Sequence, residues 1–288
     1  MTDDTAIHDL GYRRYEGIRE GPRGAWIAIF SQGVRTMFGL GRTAKAKAAP
    51  VFVIVITLLQ VIAALFASSV TQGAVPVRYG MVMQGSLLLY VLFIAAQAPE
   101  VLSRDQQHRI LPLVLTRASS RQAYASARLA SVIFSLFILV FSCLLLLYLG
   151  EIGLVVDPAK RFGEVGDHIF PVLGLATLIS LAFGGLGAGV AAWSPRRAFA
   201  TASIIALFLL LAAISNGLAD LAGVASRSAE MLSPVEATRT LTMLFFDETN
   251  RGFETNPPME AWAYVALLIG FAAIGALLLQ LRLRRLET

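Results

Sequence analysis

The sequence predicts an all-α polytopic membrane protein with six transmembrane helices. The first observation behind this is composition: of 288 residues, 56% are hydrophobic and 15% charged, with a mean hydropathy of +0.68. Soluble domains run roughly 45–50% apolar and 25% charged. So little polar material cannot cover a soluble core, and so apolar a chain does not stay unfolded in water. The second observation is arrangement. Six windows of about 20 residues recur with no charge away from their ends, the length that crosses the hydrocarbon as a helix, whereas a barrel would show shorter alternating segments. A single cysteine, Cys143, excludes an intrachain disulfide framework.

Residues 1–47 form a polar N-terminal segment. Within it, 25–40 (AWIAIFSQGVRTMFGL) sets Trp26, Ile27, Phe30, Val34 and Phe38 near one helical face. That is too short and polar to span, and it predicts an amphipathic helix lying in the interface, with Arg23, Arg35, Arg42, Lys45 and Lys47 toward anionic headgroups. No long apolar stretch with a small-residue cleavage site precedes the first span, so that span is expected to act as the insertion signal.

The first span, 48–70, begins beside Pro50, whose missing N–H is harmless in a first helical turn. The second, 79–97, is expected to stop at Pro99 and Glu100. The third, 127–149, contains SVIFSLFILVFSCLLLLYL and is the most apolar. The fourth (169–193) and fifth (199–217) are separated by the turn SPRRA, so they must be antiparallel neighbours. The sixth, 261–281, runs into a basic tail over 282–288.

Charge sets the orientation. With the N-terminus in the cytoplasm, 18 of the 24 Lys and Arg fall on the inside segments, while 11 of the 19 Asp and Glu fall on the outside loops. Both termini are therefore expected inside. This asymmetry also accounts for the pI of about 9.7, so nucleic acid is not an expected partner.

Ion-driven membrane machines carry ionisable groups at mid-depth, and these six windows hold none away from their ends. Their polar residues are uncharged: Gln60, Gln84, Gln97, Ser86, Ser135, Ser142, Thr177, Ser180, Ser215 and Asn216. Such groups chiefly bond across helices. Gln84, Ser86, Ser142 and Asn216 are the candidates for lining a pathway. His8, His108 and His168 fall in separate segments and cannot share a metal. No catalytic constellation and no phosphate-binding loop occurs, so no cofactor is expected in this chain. In FGGLGAG the spacing fits no dinucleotide fingerprint. Gly185 and Gly189 instead make a G-x-x-x-G pair for close helix packing, against this chain or another.

Between the second and third spans, 99–130 mixes charge with a periodic apolar set (Val101, Leu102, Ile110, Leu111, Leu113, Val114, Leu115), which predicts a short amphipathic helix presented to a cytoplasmic partner. Here the chain resembles the permeases of type-2 ATP-binding-cassette (ABC) exporters. Their loop after the second span reads Asp, then Gly and a Leu-rich stretch, then Arg-Pro-x-Ser-Arg, Tyr, and Lys leading into the third span. This sequence matches with Asp105, Leu111, Leu113, Leu115, Arg117, Ser120, Arg121 and Tyr124. It departs with Arg109 near the Gly, Ala118 at the Pro and Arg128 at the Lys. The segments YRRYEG (12–17) and LSPVEATRTL (232–241) are similar to further family features.

The resemblance implies a permease half in the cell membrane, of the bacterial cytoplasmic type, paired with a second copy or a related permease and docked on cytoplasmic ATPase subunits. ATP and Mg would be bound by those subunits, and this chain would not itself be an enzyme. The interfacial helix would be the family's elbow helix. A coupling segment would include Glu100, Asp105, Arg109, Leu111, Leu113, Leu115, Arg117, Arg121 and Tyr124. The loop 221–260, about 40 residues with the composition of short amphipathic helices, would cap the exit. The absence of charge along the spans favours an apolar or amphipathic cargo. The alternative is a membrane scaffold or assembly factor that moves nothing.

Overall fold

A computed structural model of the chain describes residues 21–41, 44–71, 77–107, 120–154, 157–222, 229, 231–248 and 259–285, side chains at 45–46, 104–107, 219–222 and 283–285 excepted. Among these residues there is no strand. Six helical segments are long and apolar enough to cross a membrane, which makes the chain a multi-pass membrane protein.

The N-terminal helix α1 (Pro22–Met37) starts on a proline and stops on a glycine. Gly39 takes a left-handed conformation, φ 67. The N–H of Leu40 then reaches back to the Arg35 carbonyl (2.7 Å) and that of Gly39 to Thr36 (3.0 Å), the paired bonds of a Schellman stop. Of the apolar face, Trp26, Phe30, Val34 and Phe38 are half-buried and Ile27 is exposed, while Gly33 and Met37 are buried. The third span approaches so closely here that a Cβ on Gly33 would sit 2.2 Å from Ser131 Oγ. Trp26 stacks on Phe30, Phe30 meets Phe134, and the Trp26 indole N–H donates to Ser126 (3.0 Å).

The spans follow as α2 (Ala44–Val70), α3 (Tyr79–Gln107) and α4 (Arg121–Gly153). Next come a short helix α5 (Pro158–Val165), a 3-10 turn (Gly166–His168), and then α6 (Ile169–Trp193) and α7 (Arg197–Ala222). An amphipathic helix α8 (Pro234–Phe245) precedes the last span, α9 (Ala261–Arg285). Several run past the sequence boundaries. At 33 residues α4 is about 50 Å long, longer than the roughly 30 Å hydrocarbon, so its ends stand in the headgroup regions. Its first turn is capped by Ser120, whose Oγ accepts from the Ala123 N–H at 3.1 Å.

Helix α6 is the hub, and its glycines explain how. A Cβ on Gly184 would lie 3.2 Å from the Ile133 backbone of α4. One on Gly187 would lie 2.0 Å from the Ile94 side chain of α3. One on Gly185 or Gly189 would strike the backbone of Ala272 or Gly275 in α9, at 3.1 and 2.6 Å. With no driving force from water, close approach of small residues is what holds such helices together. The partner of the G-x-x-x-G pair is therefore the sixth span of the same chain.

Candidate functional site

The lower half of α3 is where polar chemistry concentrates on one side of the bundle. Pro99 cannot donate to the carbonyl four residues back, Ala95, and a carbonyl left without a donor in hydrocarbon is unfavourable. The sequence alone predicts a helix end there. Instead α3 continues to Gln107, and Thr201 of α7 donates its hydroxyl to the Ala95 carbonyl at 2.9 Å. One turn further, the buried Glu100 carboxylate pairs with Arg197, the first residue of α7. The positive end of that helix adds to the attraction. Ser103 then donates to the Ala191 carbonyl at 2.9 Å, in the last turn of α6, where carbonyls lack helical partners. Three ties within a few turns thus fasten the foot of α3 to the end of α6 and the start of α7.

A second buried charge, Arg128 near the start of α4, is 5% exposed. It bonds Gln32 of α1 at 3.3 Å and lies 5.5 Å from the centre of the Tyr124 ring. Tyr124 is itself buried in this contact. Arg121 is exposed at the start of α4. Of the other coupling residues proposed from the sequence, Glu100 lies in the tied foot. The Asp105 side chain, Arg109, Leu111, Leu113, Leu115 and Arg117 lie outside the described residues.

At the opposite end of the bundle sits a second polar layer. Glu151, at the end of α4, accepts from the Tyr79 hydroxyl (2.8 Å) and pairs with Arg161 of α5 (2.5 Å). Arg161 also bonds Glu164 at 3.0 Å. Burial opposes the Arg161 charge, but its bonds to Glu151 and Glu164 outweigh this and hold its pKa above the ordinary guanidinium value. Phe246, just past α8, stacks on Tyr79 at 3.8 Å between ring centres, and His168 meets both rings edge-on. Glu248, 3% exposed, accepts the Gly80 N–H at the start of α3. These groups tie α5 and α8 across the ends of the spans.

Between the two layers, no Asp, Glu, Lys, Arg or His is buried among the described residues. The four lining candidates part company there. Ser86 is buried, its hydroxyl shared between the Val82 carbonyl of its own helix (2.8 Å) and Gln60 of α2 (3.0 Å). Ser142 is exposed and bonds its own helix at Leu139 (2.9 Å). Gln84 and Asn216 converge: Gln84 lines a cavity of about 180 Å³ with Leu87, Phe208 and Glu236, and Asn216 donates to that same Glu236 at 3.4 Å. Among the described residues, no group of three His, Cys, Asp or Glu could hold a metal.

Sequence reasoning did not find Thr201, Arg197, Ser103 or Glu151. Pro99 gave a usable signal, since a proline inside an apolar run leaves the Ala95 carbonyl without its helical donor. Which group supplies one depends on packing. No model of a known protein family matches the chain, and no curated protein matches it.

Proposed function

We propose that this chain is the membrane-spanning permease subunit of an ABC exporter, driven by ATP hydrolysed on separate cytoplasmic subunits and moving an apolar or amphipathic cargo. The reading begins with the resemblance of 99–130 to the coupling loop of type-2 exporter permeases. The observation that carries it furthest is the tied foot of α3. A displacement applied where α3 ends is passed to α6 and α7 through Thr201, Arg197 and Ser103, as two-state transmission through a rigid element requires. The bundle interior supports an external energy source, since among the described residues no buried ionisable group lies at mid-depth to relay protons or ions. In this reading α1 is the elbow helix, both termini are cytoplasmic, α8 with its Tyr79–Phe246 stack covers the exit, and Gln84, Asn216 and Glu236 border the path.

Reconstituted with its ATPase, the Leu113→Pro or Asp105→Lys variant should insert normally and leave ATP hydrolysis running while transport is lost. Normal transport by both variants would remove the coupling role of this loop.

A further inference from the structure

Resting on the reading that Gln84, Asn216 and Glu236 border the path, we infer that the groove between α3, α7 and α8 is a binding site for a single-chain amphiphile with an uncharged, hydroxyl-bearing head. The groove measures about 180 Å³, below the roughly 300–1,000 Å³ of drug-sized sites, so it takes one chain and neither a ring system nor a second chain. Its walls are Leu87, Leu88 and Val91 on α3 with Phe208, Leu209 and Ala212 on α7. Its polar rim is Gln84 on α3 with Glu236 and Arg239 on α8.

Helices α3 and α7 run in opposite directions, yet both are polar at the same end of the groove. Along α3 polarity falls from Gln84 to Val91 over about 10 Å. Along α7 it rises from Phe208 to Asn216 over about 12 Å, and there Asn216 meets Glu236. A ligand seated here has its head at the rim and its chain toward the middle of the spans. The charges of the rim are taken up by each other: Glu236 pairs with Arg239 at 3.6 Å and also accepts from the Asn216 side-chain amide at 3.4 Å. These two are the charged residues among the lining residues described. A head of either sign would meet a compensated pair and lose its hydration for little return. Gln84 differs, since its side chain makes no hydrogen bond within the chain among the described residues. It stands about 7 Å inward from Tyr79, where α3 begins, and an amide left unbonded away from water is unfavourable. That amide offers both a carbonyl acceptor and N–H donors. A hydroxyl, which donates and accepts, answers both, and a neutral head bearing hydroxyls is therefore the one this rim suits.

The probe is a monoacylglycerol with a diazirine near the end of its chain, added to the full-length protein in phosphatidylcholine nanodiscs, photolysed and mapped by peptide mass spectrometry. Labelling should saturate and fall on 87–91 and 208–212. Unlabelled monoacylglycerol should compete about tenfold better than the alkyl sulfate or the alkylamine of equal chain length, the size of two neutral hydrogen bonds. Gln84→Leu, at an exposed position, should erase that advantage. Arg239→Gln, which leaves the Glu236 charge uncompensated, should bring the alkylamine level with the monoacylglycerol, a change of selectivity that a loss of packing would not produce. Equal competition by the three amphiphiles in the wild type, or unchanged selectivity in both variants, would overturn the proposal. Labelling spread evenly over the lipid-facing helices would do the same. No ATPase enters this experiment, so its failure leaves the exporter reading to its own assay, and failure of that reading leaves this binding result intact.

Discussion

Gly275→Ala is the sharpest test of how this bundle is held together. A Cβ at Gly275 would lie 2.1 Å from the Gly185 carbonyl carbon, 2.2 Å from its oxygen and 2.5 Å from the Leu186 nitrogen. All three are backbone atoms of α6, so no side chain can swing aside. Ordinary contact begins at 3.4 Å, and α9 must therefore withdraw from α6 by about 1.3 Å. Overpacking in a core that can adjust costs about 1–3 kcal/mol. Here the whole α6–α9 seam must open, so the loss should reach at least the upper end, about 3 kcal/mol. For a chain of this size that corresponds to a fall in melting temperature on the order of 5–10 °C. Gly270 is the internal control, on the same helix and with open space for 4 Å around the point where a Cβ would stand, so Gly270→Ala should melt within about 2 °C of the wild type. The assay is thermal unfolding of both variants in one detergent, followed by tryptophan fluorescence. If Gly275→Ala melts like the wild type, or Gly270→Ala is equally destabilised, the close-packed seam does not hold the bundle.

Thr201→Val should cost about 1 kcal/mol by leaving the Ala95 carbonyl without its donor, and much less in a Pro99→Ala background where the helix supplies its own N–H; a double-mutant cycle of unfolding free energies measures the difference. Arg197→Glu should set two carboxylates together at the foot of α3 and impair transport, and adding Glu100→Arg should restore much of it, as vesicle uptake measured on the single and double variants will show. Glu151→Gln should lose the ion pair to Arg161, costing about 1–2 kcal/mol locally, and accelerate tryptic cleavage after Lys160 as α5 loosens.

The six spans were legible because long windows without mid-span charge have few alternatives in so apolar a chain. The second span was the exception. Its sequence stop at Pro99 follows from the missing N–H, whereas α3 continues through it to Gln107, with Thr201, 106 residues away in sequence, donating to the Ala95 carbonyl. The same reason hid the Glu100–Arg197 and Glu151–Arg161 pairs, since each joins residues whose proximity is created by packing. The close approach of α1 to α4 carried no signal in the sequence. Contact with Ser131 favours the residue without a side chain, and Gly33 occupies that position. Gly185 and Gly189 announced a close approach by their spacing, but spacing holds no information about which helix comes near. Serines were the least legible: Ser86 and Ser142 look alike in sequence and both bond their own helix, yet Ser86 also lies within bonding distance of Gln60 on a neighbouring span.

The central claim, that the energy for transport arrives from a partner, is tested most directly by purifying the tagged protein from its native membrane in mild detergent, identifying what co-purifies by mass spectrometry and assaying the eluate for ATP hydrolysis. The account predicts a stoichiometric nucleotide-binding subunit whose hydrolysis depends on this chain. Recovery of the chain alone, or only with partners that cannot bind ATP, would contradict it and leave a membrane scaffold as the better description.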